Sequence, residues 1–367
     1  MLLNRIVIIL TALFVFIVGV ISPDYNWDII GYVASSYYKD GLRGKELSEK
    51  TYNDIKTEVG KEMFISLTAG YKGYREGVYT NSNSLEQQIP FYSIKMVYVE
   101  FMRMMKVFGI SYPKATYIIS AFFSSFSVII LGLILFRKNL SMVTLPVIVL
   151  TTGFLEMAQL STPDALACFF SFAAIYFSLN SKRIIFLISA ILPLIRTDLT
   201  ILSTLLMLHW YLKSENKYSL ISLIFSFMAY FIVNSLNGNY GWLTLFNFSF
   251  FGYSPFPADM VISNRIKDYI WPYVDTLLSL PNIPQFLIYF VSIYILLPKV
   301  INKEIPENAY EFFIIPFLYV VIHLALFPIY ENRFFVFSSS IMFVGMLTQF
   351  KDHGLAKYRP DKYLINI

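Results

Sequence analysis

Two aspartates four residues apart, Asp24 and Asp28 in "SPDYNWDIIGY", follow an almost unbroken apolar run, where a helix leaving a membrane would meet water. A carboxylate within hydrogen-bond reach of an O–H or N–H can take its proton as a general base. Further along, "STPDAL" carries Asp164, "LIRTDL" carries Arg196 and Asp198, and "YENRFF" carries Glu331 and Arg333. The planar fork of an arginine binds phosphate bidentately. Each residue also has a purely structural reading. Asp24 and Asp28 suit the first turn of a helix beginning near Trp27, where the dipole favours negative charge. Their i, i+4 spacing puts both near one face once that helix has begun, so Asp24 can assist Asp28. Thr162 can cap a helix in which Pro163 is the first residue and Asp164 adds first-turn charge. Arg196 can pair with Asp198 or Glu156; Arg333 can pair with Glu331 or anchor to a lipid phosphate.

The chain that must position these groups has 367 residues, of which 56% are hydrophobic and only 14% charged, with a mean hydropathy of +0.58. That composition lies outside the soluble range and predicts an integral membrane protein. The net charge of +5 comes from short basic clusters between apolar runs, which read as topology signals and not as a nucleic-acid face. The single cysteine, Cys168, permits no intramolecular disulfide and no cysteine-based metal site. His209, His323 and His353 show no ligand spacing, so no metal is expected from them.

A spanning helix needs about 20 mostly apolar residues. Candidates are 5–22, 115–136, 141–160, 164–180, 217–234, 284–298, 309–328 and 334–350, all α-helical. The stretch 184–212 is interrupted at "IRTD" and reads as one span or two. Two passes put the basic connections "RKN", "SKR", "KSENK" and "PKVINK" and the tail 351–367 on the side of Arg5, giving about ten transmembrane helices in one domain, with both termini cytoplasmic. The first run has no small-residue cleavage pattern before Ser22 and reads as a retained helix. In that topology all seven acids and arginines reach the outer ends of helices, on one face of the membrane. Ionisable groups there default to a functional site.

Two long outer loops remain. The first, 23–113, contains "FYSIKMVYVEFMRMMKVFGI", residues 91–110. This stretch sets Ile94, Val97, Tyr98, Phe101, Met104, Met105 and Phe108 on one helical arc and Lys95, Arg103 and Lys106 on the other, as in a helix lying along the interface. The second, 235–283, has turn chemistry in an aromatic setting, "NGNYGW" and "SPFPAD", and either covers a pocket or connects two helices.

This layout resembles the GT-C superfamily of membrane glycosyltransferases, and within it the protein O-mannosyltransferase and aminoarabinose-transferase type. "WDIIGYVASSYYKDG" resembles that family's opening acid, followed four residues later by tyrosine, and matches Asp28 and Tyr32 to the catalytic-acid station. "QQIPFYSIKMVYVEFMRMMKVFGISYPKATYIISAFFSSF" resembles its proline-aromatic start, amphipathic helix and phenylalanine-glycine end. Gln88 and Ile89 stand where a histidine often precedes the proline, and Ile29 stands where a second acid is common. The resemblance covers the first 140 residues best; "STPDALACF", "LIRTDL" and "YENRFFVF" match later outer-face stations by order.

The resemblance implies an enzyme that moves a sugar from a polyprenyl-phosphate donor to a lipid or glycan acceptor on the outer face, by direct inverting displacement. Asp28 would be the base with Asp24 beside it, and Arg333 and Arg196 the phosphate-side cations. Tyr32, Asp164, Asp198 and Glu331 would be substrate-binding. With Ile29 in place of a second acid, no metal or other cofactor is expected. The rivals are a polymerase or ligase using undecaprenyl-diphosphate substrates, a lipid-linked sugar transporter or flippase, and a non-catalytic assembly subunit. A polymerase would more naturally carry several arginines in a late outer loop, and 235–283 has only Arg265. A transporter predicts midplane charges and repeated halves.

Overall fold

A computed structural model describes residues 2–70, 73–302 and 308–352. All regular elements among them are helical. Helix α1 (Leu2–Ile21) is followed by six helices in the first long loop: α2 (Asp28–Lys39), α3 (Gly44–Val59), α4 (Lys61–Thr68), α5 (Tyr74–Thr80), α6 (Ser82–Ser93) and α7 (Met96–Val107). Then come α8 (Tyr112–Arg137), α9 (Thr144–Thr151), α10 (Phe154–Gln159), α11 (Asp164–Leu179), α12 (Ile184–Ile195) and α13 (Thr200–Ser214). The chain continues through α14 (Lys217–Leu236), α15 (Trp242–Phe250), α16 (Ile266–Ser279), α17 (Phe286–Ile301), α18 (Ile315–Leu326) and α19 (Val336–Asp352).

Among the described residues three helices, α1, α8 and α14, are long and apolar enough to cross a membrane. A fourth candidate is the pair Ile266–Asn282 and Phe286–Lys299, bent by 88°. Shorter apolar helices are Asp164–Leu179, Ile184–Ile195, Tyr310–Leu326 and Val336–Phe350. Helices α1 and α14 leave most of their surface outside the core, including Leu10, Phe14, Phe225 and Phe231. An apolar surface of that extent is unfavourable against water and suits a hydrocarbon solvent.

Small residues let α1 approach its neighbours closely. A Cβ on Gly19 would lie 2.7 Å from that of Ala121, and one on Gly132 would lie 2.7 Å from Ile8. Ser125 Oγ donates across the same contact to the Ala12 carbonyl at 2.9 Å. This is the packing by which helices associate where no hydrophobic effect drives them together.

Two expected elements, 141–160 and 91–110, differ in the structure, and the stretch 184–212, which reads as one span or two, is two helices. The span at 141–160 is not one helix: it breaks at Gly153, whose φ of +93° suits glycine because it has no Cβ to clash. The stretch 184–212 is two antiparallel helices turning at Arg196–Leu199. Ser203 Oγ donates to Ser189 O at 2.8 Å, a pairing about the turn that a straight helix could not make. The helix at 91–110 is interrupted between Ser93 and Met96. Its buried face is Tyr98, Val99 and Met102, while Met104, Val107 and Phe108 point outward. The stretch has more apolar residues than one face holds, and packing against α2 and α8 selects the side containing Met102.

The second long loop is largely helical and is tied to α6. Ser84 Oγ donates to the Pro255 carbonyl at 2.5 Å, Gln88 Nε2 to the same oxygen at 3.0 Å, and Tyr240 OH to the Gln87 carbonyl at 2.9 Å. The tail beyond Asp352, including His353, lies outside the described residues.

Candidate active site

Asp28 is the first residue of α2, where its charge faces the helix N-terminus. One carboxylate oxygen accepts from Asn26 Nδ2 at 2.7 Å and from Arg333 Nη1 at 3.1 Å. The other accepts from Tyr92 OH at 3.3 Å. Tyr92 lies against Gly31, one turn into α2, where any Cβ would collide with its ring. Tyr32 is buried one turn below Asp28, edge-on to Tyr92 and Tyr98 at 5.0 and 4.8 Å.

From Asp28 a line of alternating charges crosses the end of the helix bundle. Arg333, just before α19, reaches Asp28 on one side and lies 3.4 Å from Asp164 on the other. Asp164, the first residue of α11, also pairs with Arg196. Arg196, at the end of α12, grips Asp198 bidentately at 3.0 and 2.9 Å. Asp198 in turn takes Tyr319 OH at 3.2 Å and lies 3.4 Å from His323 Nδ1. Asp28 and Asp198, at the two ends, are 26% and 24% exposed, whereas Asp164 in the middle is 3% exposed. Solvent and ligands therefore reach this line at its ends.

Arg333 Nε lies 3.4 Å from Asp164 Oδ2 without hydrogen-bond geometry, and His323 Nε2 is buried without a hydrogen-bond partner. Lys95, in the break between α6 and α7, is half-buried and donates to the Phe91 carbonyl at 2.5 Å. Burial pushes its ammonium down to about 8, with the positive charge of Arg196 adding to that shift and Asp28, Asp198 and Asp164 opposing it. Its charge is thus felt by Arg196 and by the three acids of the line.

Of the residues singled out from sequence, Asp28, Asp164, Arg196, Asp198 and Arg333 lie in one connected group, with Tyr32 beneath it. Asp24 and Glu331 do not join it. Asp24 lies before α2 begins, so its spacing to Asp28 is not helical; its backbone forms a parallel bridge with Leu160 and its N–H donates to Gln159 O at 2.9 Å. Its side chain is exposed. Glu331 is exposed too; its charge acts on Arg333, but the ion pairs of Arg333 are with Asp28 and Asp164. Arg196 likewise pairs with Asp164 and Asp198, not with Glu156. Thr162 does not cap α11: its hydroxyl is buried without a partner, and its carbonyl accepts from Ser120 Oγ at 2.9 Å.

Sequence reasoning missed Asn26, Tyr92, Lys95, Tyr319 and His323. For Tyr319 and His323 a signal existed, since they stand i, i+4 on one helical face. For Tyr92 and Lys95 it did not, because their positions depend on the helix break. Among the described residues no three His, Cys, Asp or Glu side chains are grouped to hold a metal ion.

No family model matches the chain, and neither a curated protein nor a solved structure is found similar to it.

Proposed function

We propose that this chain is a polytopic membrane glycosyltransferase that takes a sugar from a polyprenyl-phosphate carrier at the outer face of the cell membrane. Its shorter apolar helices would complete about ten crossings, with both termini cytoplasmic. The observation that carries the reading is Arg333 shared between Asp28 and the buried Asp164.

In the reaction, Asp28 takes the proton of an acceptor O–H as its oxygen bonds to the anomeric carbon. The bond from that carbon to the phosphate oxygen breaks, and its electron pair leaves with the phosphate. Negative charge thus moves from Asp28 to the phosphate in one step. Arg333 serves both ends of that movement. While Asp28 is ionised, Arg333 neutralises it; once Asp28 is protonated, the same guanidinium is released to the new phosphate monoester. The Nη1 that had donated to Asp28 then becomes available to that phosphate, and arginine holds its charge at all relevant pH. Arg196 and Lys95 add positive charge at the same end of the bundle. Groups placed where charge develops contribute most when they need no reorganisation, which the fixed alternation of ion pairs supports.

The test is transfer by the purified protein from polyprenyl-phosphate sugars into membrane extract. Asp28→Asn is expected to lower transfer by at least about a hundredfold, the typical contribution of a general base, with unchanged thermal unfolding. Transfer at the wild-type rate by this variant would rule out Asp28 as the base.

A further inference from the structure

Beside Asp28 is a cavity of about 210 Å³ lined by Asn26, Trp27, Asp28, Tyr74, Arg75, Tyr92, Phe248 and Tyr253. We propose that it holds one neutral sugar ring of the acceptor, an assignment that rests on the transferase reading.

Five of the eight lining residues are aromatic and form a continuous wall. Tyr74 is 5.1 Å from Trp27, 5.7 Å from Phe248 and 5.4 Å from Tyr253, and Phe248 is 5.0 Å from Tyr253. The electron-rich faces of such rings attract polarised C–H groups, which a sugar ring presents on its flat sides. Its hydroxyls need donors and acceptors at the edges, and Asn26, Asp28 and Arg75 supply both. The Asp28 carboxylate is already paired with Arg333, so it does not call for a cationic guest. The volume is below the roughly 300–1,000 Å³ of sites for drug-sized ligands, so one ring fits and a polyprenyl chain does not. Neither Arg196 nor Arg333 lines the cavity. The cations assigned to the donor phosphate thus lie outside the cavity lining, and an inverting displacement requires the attacking hydroxyl to approach the anomeric carbon from the face opposite that phosphate.

The wall is also held in place. Tyr74 OH donates to Gln88 Oε1 at 3.0 Å, while Gln88 and Ser84 fix Pro255. Gly77 is what lets that segment approach, since a Cβ there would lie 2.8 Å from the Pro255 ring.

The experiment uses the full chain in detergent with methyl glycosides of glucose, galactose, mannose and N-acetylglucosamine, read by saturation-transfer NMR. At least one glycoside is expected to bind, with the strongest transfer to ring C–H protons. Phe248→Ala and Tyr253→Ala are each expected to weaken that binding roughly three- to tenfold, and Phe248→Tyr to retain it. Gly77→Ala, which removes no aromatic ring, is expected to weaken it as well. Binding by none of the four glycosides, or binding indifferent to all these variants in protein with wild-type unfolding, would overturn the proposal. Displacement of the glycoside by a polyprenyl-phosphate sugar would assign the ring to the donor and equally overturn it. Glycoside binding by a chain that transfers no sugar would sink the transferase reading while leaving the cavity as a sugar site; transfer without glycoside binding would do the reverse.

Discussion

The helix bundle has a polar cluster at each end, and the two are built differently. At the far end from Asp28, Glu311 is buried in the π-helical segment Tyr310–Ile314 and meets His209 at 3.3 Å, Lys213 at 3.8 Å and Ser178 at 3.5 Å. Trp210 Nε1 donates to Ser178 Oγ at 3.0 Å, and Tyr310 stacks on His209. From Asp164 to Ser178 along α11 is on the order of 20 Å. The far cluster surrounds one acid with separate partners and, among the described residues, contains no second acid. The near cluster shares each of two arginines between two of three acids, so neutralising Asp28 frees one side of Arg333 for another anion. The first arrangement stabilises a helix end; the second can respond to a change of charge.

The largest effect that separates them is expected at Asp164. Asp164→Asn takes one carboxylate from each of two arginines at a buried position, and removing one partner of a buried ion pair costs about 3–5 kcal/mol. Glu311→Gln keeps an acceptor beside its donors and should cost about 1–3 kcal/mol, with transfer unchanged. Denaturant unfolding in detergent measures both; equal losses would erase the distinction.

Next in size is Gly31→Ala. A methyl group there displaces Tyr92, which donates to Asp28, and overpacking of this kind costs about 1–3 kcal/mol. Transfer should fall more than for Gly132→Ala, which crowds Ile8 on α1. A comparable loss from both would mean that Tyr92 acts only through general packing.

Lys95 gives a smaller, pH-dependent effect. Its ammonium is pushed from 10.5 down to about 8, so it loses its charge across pH 8. If it attracts the donor phosphate, KM should rise several-fold between pH 7 and pH 9, and Lys95→Arg should flatten that limb because arginine stays charged. Stability runs the other way. The penalty on the charged form is complete below pH 8 and is relieved as pH rises from 8 towards 10.5. Lys95→Met should therefore stabilise the fold more at pH 7 than at pH 10. A KM independent of pH in the wild type would remove Lys95 from the phosphate side.

Much of the near cluster could be read from sequence because sidedness is a property of order. Basic loops alternate with acid-bearing helix ends, so Asp28, Asp164, Arg196, Asp198 and Arg333 fall on one face before any contact is known. "IRTD" within 184–212 announced the turn that α12 and α13 make. What could not be read depends on breaks and tertiary selection. Lys95 looked like part of a solvated arc, and only the interruption of 91–110 turns it inward. Gly153 was visible inside 141–160, yet glycine also occurs within helices of apolar segments, and its positive φ follows from packing. The aromatic residues of 235–283 pointed equally to a cover or a connection; the hydrogen bonds from α6 to Pro255 decide for a cover.

The smallest expected effect is the one that most sharpens the comparison within the near end itself. Asp24 and Asp28 have the same side chain four residues apart, but only Asp28 is held by Asn26, Tyr92 and Arg333. What fixes Asp24 is its backbone, through Gln159 and Leu160, which any residue but proline would reproduce. Asp24→Asn should therefore leave transfer and unfolding within about twofold of wild type, as for an exposed substitution away from special features. Transfer reduced by Asp24→Asn to the extent seen for Asp28→Asn would mean that the exposed acid, too, reaches the reacting hydroxyl, and the base would have to be assigned to the pair.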